Sequence, residues 1–395
     1  MRRFTDPAWR CAFQVYVPLR VALTAIGAAV RALYPGDLSP HPVLRPYLGI
    51  VAVEGGWQGL LLGVWQRWDT LWYMLIAQEG YTMRDTRIFA PPLYPWLMRL
   101  TGELLGGGSA AYLLGGLVVS NLACIAMFAY LYRLVALECN VAIARRSVVY
   151  LSLFPSAFFL VSAYAESLLM LCIVASFYYA RRRQWVAAGI WGFFAPLARL
   201  PGVVILLPLG WEFVRQAWSS RQGNRPLPCW HGWPLALVLL GGLAFPAYAP
   251  LVVGAESWLA PFTIHTQRYM GRVSLTGDSL WTAAHVLATG HFRIIEPFDL
   301  AIALLFIVLT IAGLRRLPVL YSLYLVVMLT GVLTKVSEVQ PLLSLSRYAL
   351  VLFPGFVLLA RAGRRSGWRH RTIVYLSAAL LVFYAGQFVI WGWVG

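Results

Sequence analysis

The stretch WQRWDTLWYMLIAQEGY, residues 65–81, holds an inner carboxylate, Asp69, among Trp65, Trp68, Trp72 and Tyr73. Wound as a helix at about 100° per residue, it sets Trp65, Asp69, Trp72 and Ile76 on one face and Gln66, Arg67, Thr70 and Gln78 on the other. A carboxylate on an apolar face costs free energy unless something binds it or uses it. Asp69 can cap a helix beginning at Thr70, or it can serve as a general base in a sheltered cleft; its aromatic company favours the base. Glu166, in SAYAESLL, opens an apolar segment, where it either complements the helix dipole or binds substrate. Arg199, in LARLPG, sits at a Pro-Gly turn between apolar runs and needs an anion as partner if buried. Arg347, in LSLSRYALVLFPG, stands at the mouth of another apolar run, either anchoring that helix or holding an anion. Glu79 and Asp85 flank a loop and read as solvated. Arg20 and Arg31 are about three helical turns apart and share a face. Arg20 reads as snorkelling to an interface, and Arg31 as an interface anchor or part of an anion site.

The elements that must position these groups are membrane spans. The 395-residue chain is 60% hydrophobic and only 12% charged, about half the charged share of a soluble domain. Several segments are long and apolar enough to cross a hydrocarbon core. About eleven spans are predicted, near 15–34, 109–132, 147–163, 165–180, 185–198, 200–214, 232–254, 299–314, 317–334, 346–361 and 372–394. The N-terminal MRRFTDPAWR and the run after it read as an uncleaved anchor, since Arg20 and Arg31 interrupt a signal-like apolar core. With the N-terminus inside, the cytoplasmic segments take the larger share of the 32 basic residues, including Arg145, Arg146, Arg181 to Arg183, Arg315, Arg316 and the cluster from Arg361 to Arg371; Asp6, Glu138 and Glu212 oppose them. The net charge of +17 is then the positive-inside signature and not a nucleic-acid surface. The five cysteines form no CxxC pair, so neither a disulfide framework nor a metal site is indicated.

The whole chain, 1–395, reads as one integral membrane domain with two long outer loops, 35–108 and 255–298. In the first, FAPPLYPWLMRL places Pro91, Pro92 and Pro95 as helix stops, with Trp96 and Leu97 returning to the interface. The second contains HTQRYMGRVSLTGDSLW, rich in hydrogen-bonding groups. Both loops share a side with the turns at 164–166, at Arg199 and at 335–347, so five segments bring ionisable groups to one outer layer. No Gly-rich loop follows a strand, and no cytoplasmic segment is long enough for a nucleotide-binding sheet.

RWDTLWYMLIAQEGY with APPLYPWLMRL, then LFPSAFFLVSAYAESLL, FAPLARLPGVV and SRYALVLFPGFVLLA, in that order over about residues 65–361, resemble the PIG-V type of mannosyltransferase, which adds the second mannose of glycosylphosphatidylinositol anchors, and its bacterial relatives. That family is similar to the GT-C superfamily of multi-spanning glycosyltransferases. The resemblance implies an all-α GT-C-like bundle with interfacial helices in the first outer loop, and a polyprenyl-phosphate-mannose donor used outside the cytosol. It also implies Asp69 as the catalytic base of an inverting single displacement. In relatives a Trp often stands near the Gln-x-x-x-Gly-Arg positions; this chain reads Gln267, Arg268, Tyr269, Met270, Gly271, Arg272, which leaves the acceptor open.

The chemistry assigns parts to the remaining groups. Arginine grips phosphate oxygens bidentately, which makes Arg199, Arg272 and Arg347, in falling order of burial, and Arg31 the candidates for the donor phosphate. Trp68, Tyr73, Tyr164, Glu166 and Gln267 are candidates for sugar and acceptor hydroxyls. No acidic pair or histidine cluster has metal-ligand spacing, so the reaction is expected to need neither metal nor cofactor beyond the lipid-linked donor. Expected partners are that donor, a glycolipid or other extracytoplasmic acceptor, and membrane lipid; nucleic acid is not among them, and the chain is expected to act as a monomer. The nearly lysine-free, arginine-rich composition suggests a prokaryotic plasma membrane. Two rivals stay open: another transferred sugar, and a transporter or flippase, although no internal repeat of the kind transporters show is visible.

Overall fold

The computed structural model describes residues 6–34, 36–82, 90–221, 229–263, 271–274, 277–290, 292–337 and 341–394. Its helices are α1 (Pro7–Leu33), α2 (Gly56–Leu61), α3 (Asp69–Glu79), α4 (Leu93–Leu104), α5 (Gly108–Glu138), α6 (Val141–Ser152), α7 (Glu166–Arg181) and α8 (Trp185–Ala198). They continue with α9 (Leu206–Arg221), α10 (Leu235–Tyr248), α11 (Asp278–Ala288), α12 (Glu296–Arg316), α13 (Val319–Leu333), α14 (Leu345–Val351), α15 (Phe353–Arg365) and α16 (Gly367–Val389). Two three-residue strands, β1 (Gly271–Val273) and β2 (Lys335–Ser337), pair antiparallel and tie the second outer loop to the segment that follows α13.

Among the described residues, α1, α5, α12 and α16 are long and apolar enough to cross a membrane, and a fifth crossing results if the bent pair α14 and α15 counts as one; α8, α10 and α13 are shorter apolar helices. This is a helical membrane bundle. The long helix α5 is its centre, packing against α1, α4, α6 and α7, and α7 passes the contact on to α8.

Several expected spans are interrupted. The predicted span 147–163 is α6 followed by a turn and a short 3-10 segment, Ala157–Leu160. The residues of FPSAFFLVSAYAE are nonetheless buried. Irregular backbone at such a depth survives only where its polar groups find partners inside the protein. They do: Val161 O accepts from Arg20 Nη1 at 2.9 Å and Asn121 Nδ2 at 3.0 Å, Ala163 O from Thr70 Oγ1 at 3.2 Å, and Tyr164 O from Ser120 Oγ at 2.7 Å. Arg20 therefore does not snorkel; it turns inward, with its guanidinium 5.3 Å from the centre of the Trp65 ring.

The span predicted at 200–214 starts as a 3-10 segment, Leu200–Ile205, because Pro201 follows the extended Arg199. The span predicted at 346–361 breaks at Leu352, where α14 and α15 meet at 78°. Pro354 in the first turn of α15 has no amide to continue α14, and the freed Val351 carbonyl accepts from Tyr324 OH at 2.7 Å. In the first outer loop, Pro92 precedes α4 and Pro95 lies in its first turn, where no intrahelical amide bond is needed. The prolines there start a helix and do not stop one.

Candidate active site

The helix expected over 65–76 divides in two. Gly63–Trp65 is a 3-10 turn, Gln66 to Trp68 are non-helical, and α3 begins at Asp69 itself. Asp69 is thus not the cap; the residue before α3 is Trp68, which caps nothing and holds φ 52°. A positive φ costs a bulky residue of order 1–3 kcal/mol and persists only where packing fixes it. Here the packing is aromatic: Trp68 stands edge-on to Trp391 and Trp393, with ring centres 5.3 and 4.8 Å away.

The face expected to be polar is also buried. Gln66 Oε1 accepts from Val53 N at 2.7 Å and its Nε2 donates to Val51 O at 3.0 Å. Arg67 is 3% exposed and donates to Val389 O, Gly63 O and Gln66 O at 3.0, 2.8 and 3.0 Å, with Trp391 5.0 Å from its guanidinium. Gln66 and Arg67 pin the chain entering α3 to the end of α16, and so set where Asp69 points. A one-face helical count could not find them, because the helix it assumed is not there.

Four charges from four segments then meet. Arg347 Nη1, on α14, donates to Asp69 Oδ2 at 2.6 Å. Arg347 Nε lies 3.4 Å from Glu166 Oε1, at the start of α7, without the alignment of a hydrogen bond. Arg199, at the end of α8, forms an ion pair with the same Glu166 oxygen, and its Nη2 donates to Tyr348 OH at 3.4 Å. Asp69, Glu166 and Arg347 are buried at 6, 2 and 5% exposure. Arg347, not Arg199, is the deeper of the two arginines, since their side chains are 6 and 12% exposed. Removing such charges from water is tolerated because each is paired. Yet the set is incomplete: Glu166 Oε2 is buried and has no hydrogen-bond partner among the described residues.

Aromatic rings wall the cluster. The Arg347 guanidinium lies 5.6, 5.7 and 5.6 Å from the centres of Phe159, Tyr164 and Tyr348. Tyr164 OH accepts from the Asp69 amide at 3.2 Å, which ties the base candidate to the segment before Glu166. Tyr73 is buried edge-on to Tyr94 and Tyr164, with centres 4.9 and 6.2 Å away, and burial pushes its phenol above the usual range. Phe159 and Tyr348 escaped the sequence reading. The second had a signal, as the residue next to Arg347.

The structure thus brings together Asp69, Glu166, Arg199, Arg347, Tyr73 and Tyr164. It does not bring Arg31 or Trp68 into that contact set: Arg31, half-buried in the last turn of α1, has its charge felt by Tyr47 and Arg67, and Trp68 packs on the C-terminal tryptophans. Arg272 lies in β1, paired with Val336. Gln267 lies outside the described residues. Among the described residues no group of three His, Cys, Asp or Glu side chains could hold a metal ion. Chemically, the cluster offers a carboxylate paired with a guanidinium, a second guanidinium joined to that pair through Glu166, and a Glu166 oxygen with no hydrogen-bond donor among the described residues.

Residues 42–222 match the family model described as Mannosyltransferase (PIG-V). The match covers Asp69, Glu166 and Arg199; Arg347 and the SRYALVLFPG stretch lie beyond it. No curated protein matches the chain. Among solved structures it is similar to the archaeal oligosaccharyltransferase AglB from Archaeoglobus fulgidus in complex with an inhibitory peptide and a dolichol-phosphate, at 12% identity and TM-score 0.43, over 95% of this chain and 55% of that one. It is likewise similar to the oligosaccharyltransferase of the same organism tethered with an acceptor peptide, at 12% identity and TM-score 0.45, over 100% of this chain and 56% of that one. The chain spans about half the length of the solved structures it matches.

Proposed function

We propose, from the match of residues 42–222 to the mannosyltransferase (PIG-V) family model, that this chain is a membrane glycosyltransferase that moves mannose from polyprenyl-phosphate-mannose to an extracytoplasmic acceptor, with Asp69 as the base. The observation that carries the reading is the buried run Asp69, Arg347, Glu166, Arg199. An acceptor hydroxyl gives its proton to Asp69 as its oxygen bonds to the sugar's anomeric carbon. The bond from that carbon to the phosphate oxygen breaks, and the electron pair leaves with the phosphate. Attack from the side opposite the phosphate inverts the carbon, turning a β-linked donor into an α-mannoside.

The guanidiniums have the complementary task. Charge grows on the leaving phosphate during the displacement, and fixed donors aimed at it in a water-poor site stabilise that growth. Arg347 and Arg199 meet the requirement from two sides of Glu166. Arg347 holds Asp69 until the donor's phosphate competes for it, so the base is released when there is something to transfer. Glu166 Oε2, Tyr73 and Tyr164 are placed to order hydroxyls of sugar or acceptor, with Gln267, Arg272, Trp68 and Arg31 as outlying candidates. In this reading arginines carry the phosphate's charge and no metal is required.

The proposed setting is a GT-C-like bundle of about eleven crossings, some of them short or broken, with α3 and α4 lying at the outer interface. Trp96, 52% exposed on α4, suits an interfacial anchor. The N-terminus is cytoplasmic, the cluster faces outward, the membrane is a prokaryotic plasma membrane, and the donor reaches the site already attached to lipid.

The test is Asp69→Asn, which keeps the shape and removes the basicity. Membranes bearing the variant are incubated with labelled polyprenyl-phosphate-mannose. Transfer falls to background while the purified variant melts as the parent does; transfer at the parent's rate would overturn the assignment.

A further inference from the structure

Lys335 is the single lysine among 32 basic residues, and it stands at the rim of the charged cluster. It is the first residue of β2, exposed, while Val336 and Ser337 after it are buried. Its strand is held firmly: Val273 pairs with Lys335 and Gly271 with Ser337, Thr334 O accepts from Ser274 N at 2.9 Å, and Leu333 O from Ser279 Oγ at 2.7 Å. Lys335 Nζ lies 5.7 Å from the centre of the Tyr348 ring. The same ring has the Arg199 guanidinium 5.4 Å and the Arg347 guanidinium 5.6 Å from its centre. Three cations therefore converge on one phenol, two buried and one at the surface.

The two buried cations are matched by Asp69 and Glu166. Lys335 has no carboxylate within ion-pair reach among the described residues. Among the described residues the cluster with Lys335 thus carries one positive charge in excess, three cations against two carboxylates, and the excess lies on its exposed side. An anion approaching from the surface meets Lys335 first, then the Tyr348 ring, then the arginines. A sugar phosphodiester bears one negative charge, which that excess balances, and the phosphate left after transfer bears more. Lysine suits a point of first capture, as a compact charge on a long flexible stem with no fixed fork to align.

We propose that Lys335 is a binding residue that captures the phosphate of a polyprenyl-phosphate lipid at the mouth of the site and hands it to Arg199 and Arg347. This rests on the reading of the cluster as a lipid-phosphate site, and the test separates the two. Lys335 and the α-amino group are the chain's only primary amines, so a water-soluble acylating reagent reads Lys335 without any variant, with the α-amino group as internal control. Purified protein in neutral detergent is acylated alone, with polyprenyl phosphate, with polyprenol, and with inorganic phosphate.

Polyprenyl phosphate slows acylation of Lys335 at least about fivefold, as an amine engaged by a phosphate is withdrawn from attack; polyprenol and inorganic phosphate do not, and the α-amino group is unaffected. No slowing, or equal slowing by polyprenol, overturns the proposal; slowing by inorganic phosphate alone shows a free-phosphate site and overturns it too. Protection without any mannose transfer leaves Lys335 as a lipid-phosphate ligand and refutes the transferase reading. With transfer in hand, Lys335→Gln raises KM for the donor about tenfold with kcat within about twofold, and Lys335→Arg restores most of the loss. A purely structural role would instead lower kcat or the melting temperature, and an unchanged KM overturns the assignment.

Discussion

Two buried charge clusters, one at each end of the bundle, use the same residue types to opposite effect. At the expected cytoplasmic end, Glu138, Arg181, Glu212 and Arg215 join α5, α7 and α9, with Gln216 and Tyr321 completing the set. Glu212 Oε1 accepts from Arg181, Arg215 and Gln216 at 2.8, 2.6 and 2.7 Å and its Oε2 from Arg215 at 2.8 Å. Glu138 accepts through both oxygens, from Arg181 and from Tyr321. That network is saturated. The outer cluster also has two carboxylates and two guanidiniums, but among the described residues Glu166 Oε2 has no hydrogen-bond partner and Arg347 Nε is misaligned. A buried polar atom left unmade costs about 1–3 kcal/mol, and a fold keeps such a cost where a ligand can relieve it. The saturated cluster reads as a staple and the unsaturated one as a site.

The largest expected effect falls on the outer cluster. Arg347→Gln removes the cation shared by Asp69, Glu166 and the leaving phosphate. Steady-state transfer kinetics should show kcat/KM lower by about a thousandfold, near 4 kcal/mol of lost transition-state stabilisation. A loss below tenfold would move the phosphate site elsewhere.

The matching change in the inner cluster should act on stability alone. Glu212→Gln leaves Arg181 and Arg215 short of a buried anion, and breaking such a pair from one side costs about 3–5 kcal/mol. The variant's melting temperature in detergent should drop clearly, while kcat/KM per folded molecule stays within about twofold. Lost activity in fully folded protein would erase the contrast between the clusters.

How far the contrast was legible in the sequence depends on what each residue needs to know. Asp69, Glu166, Arg199 and Arg347 were readable because a charge among apolar residues announces itself, whatever the fold. The inner cluster was visible only as positive-inside residues with three acids against them; that Glu138 and Glu212 both reach Arg181 depends on how α5, α7 and α9 pack. The breaks at Gln66 to Trp68, at 153–163 and at Leu352 were read as continuous helix. The carbonyls of Val161, Ala163, Tyr164 and Val351 are satisfied by Thr70, Ser120, Asn121, Arg20 and Tyr324, each at least 27 residues from the carbonyl it serves. Local periodicity cannot register partners at that distance. Burial of Arg67 follows from the same failure, since its side chain is placed by α16.

Between the two extremes lies Glu166. Glu166→Gln keeps a carbonyl oxygen for Arg199 and an amide for whatever meets Oε2, so the fold should persist. The cluster loses one negative charge and Arg347 is left with Asp69 as its anionic partner. That tightens the hold on the base, and transfer should fall by roughly thirtyfold, about 2 kcal/mol, mainly in kcat. Equal losses in stability and rate would mark Glu166 as a staple like Glu212 instead.

The smallest effect tests how the base is aimed. Tyr164 OH accepts from the Asp69 amide at 3.2 Å and donates to Arg67 O at 3.4 Å, a bridge between the segment before α7 and the first residue of α3. Tyr164→Phe keeps the ring beside Arg347 and Phe159 and removes only the bridge. A single net hydrogen bond is worth about 1 kcal/mol, so kcat should fall about fivefold with the donor KM unchanged, because the phosphate ligands do not move. If the hydroxyl instead orders a sugar hydroxyl, its loss weakens donor binding, and KM rises with kcat intact. The split between the two constants therefore decides whether Tyr164 serves the base or the sugar.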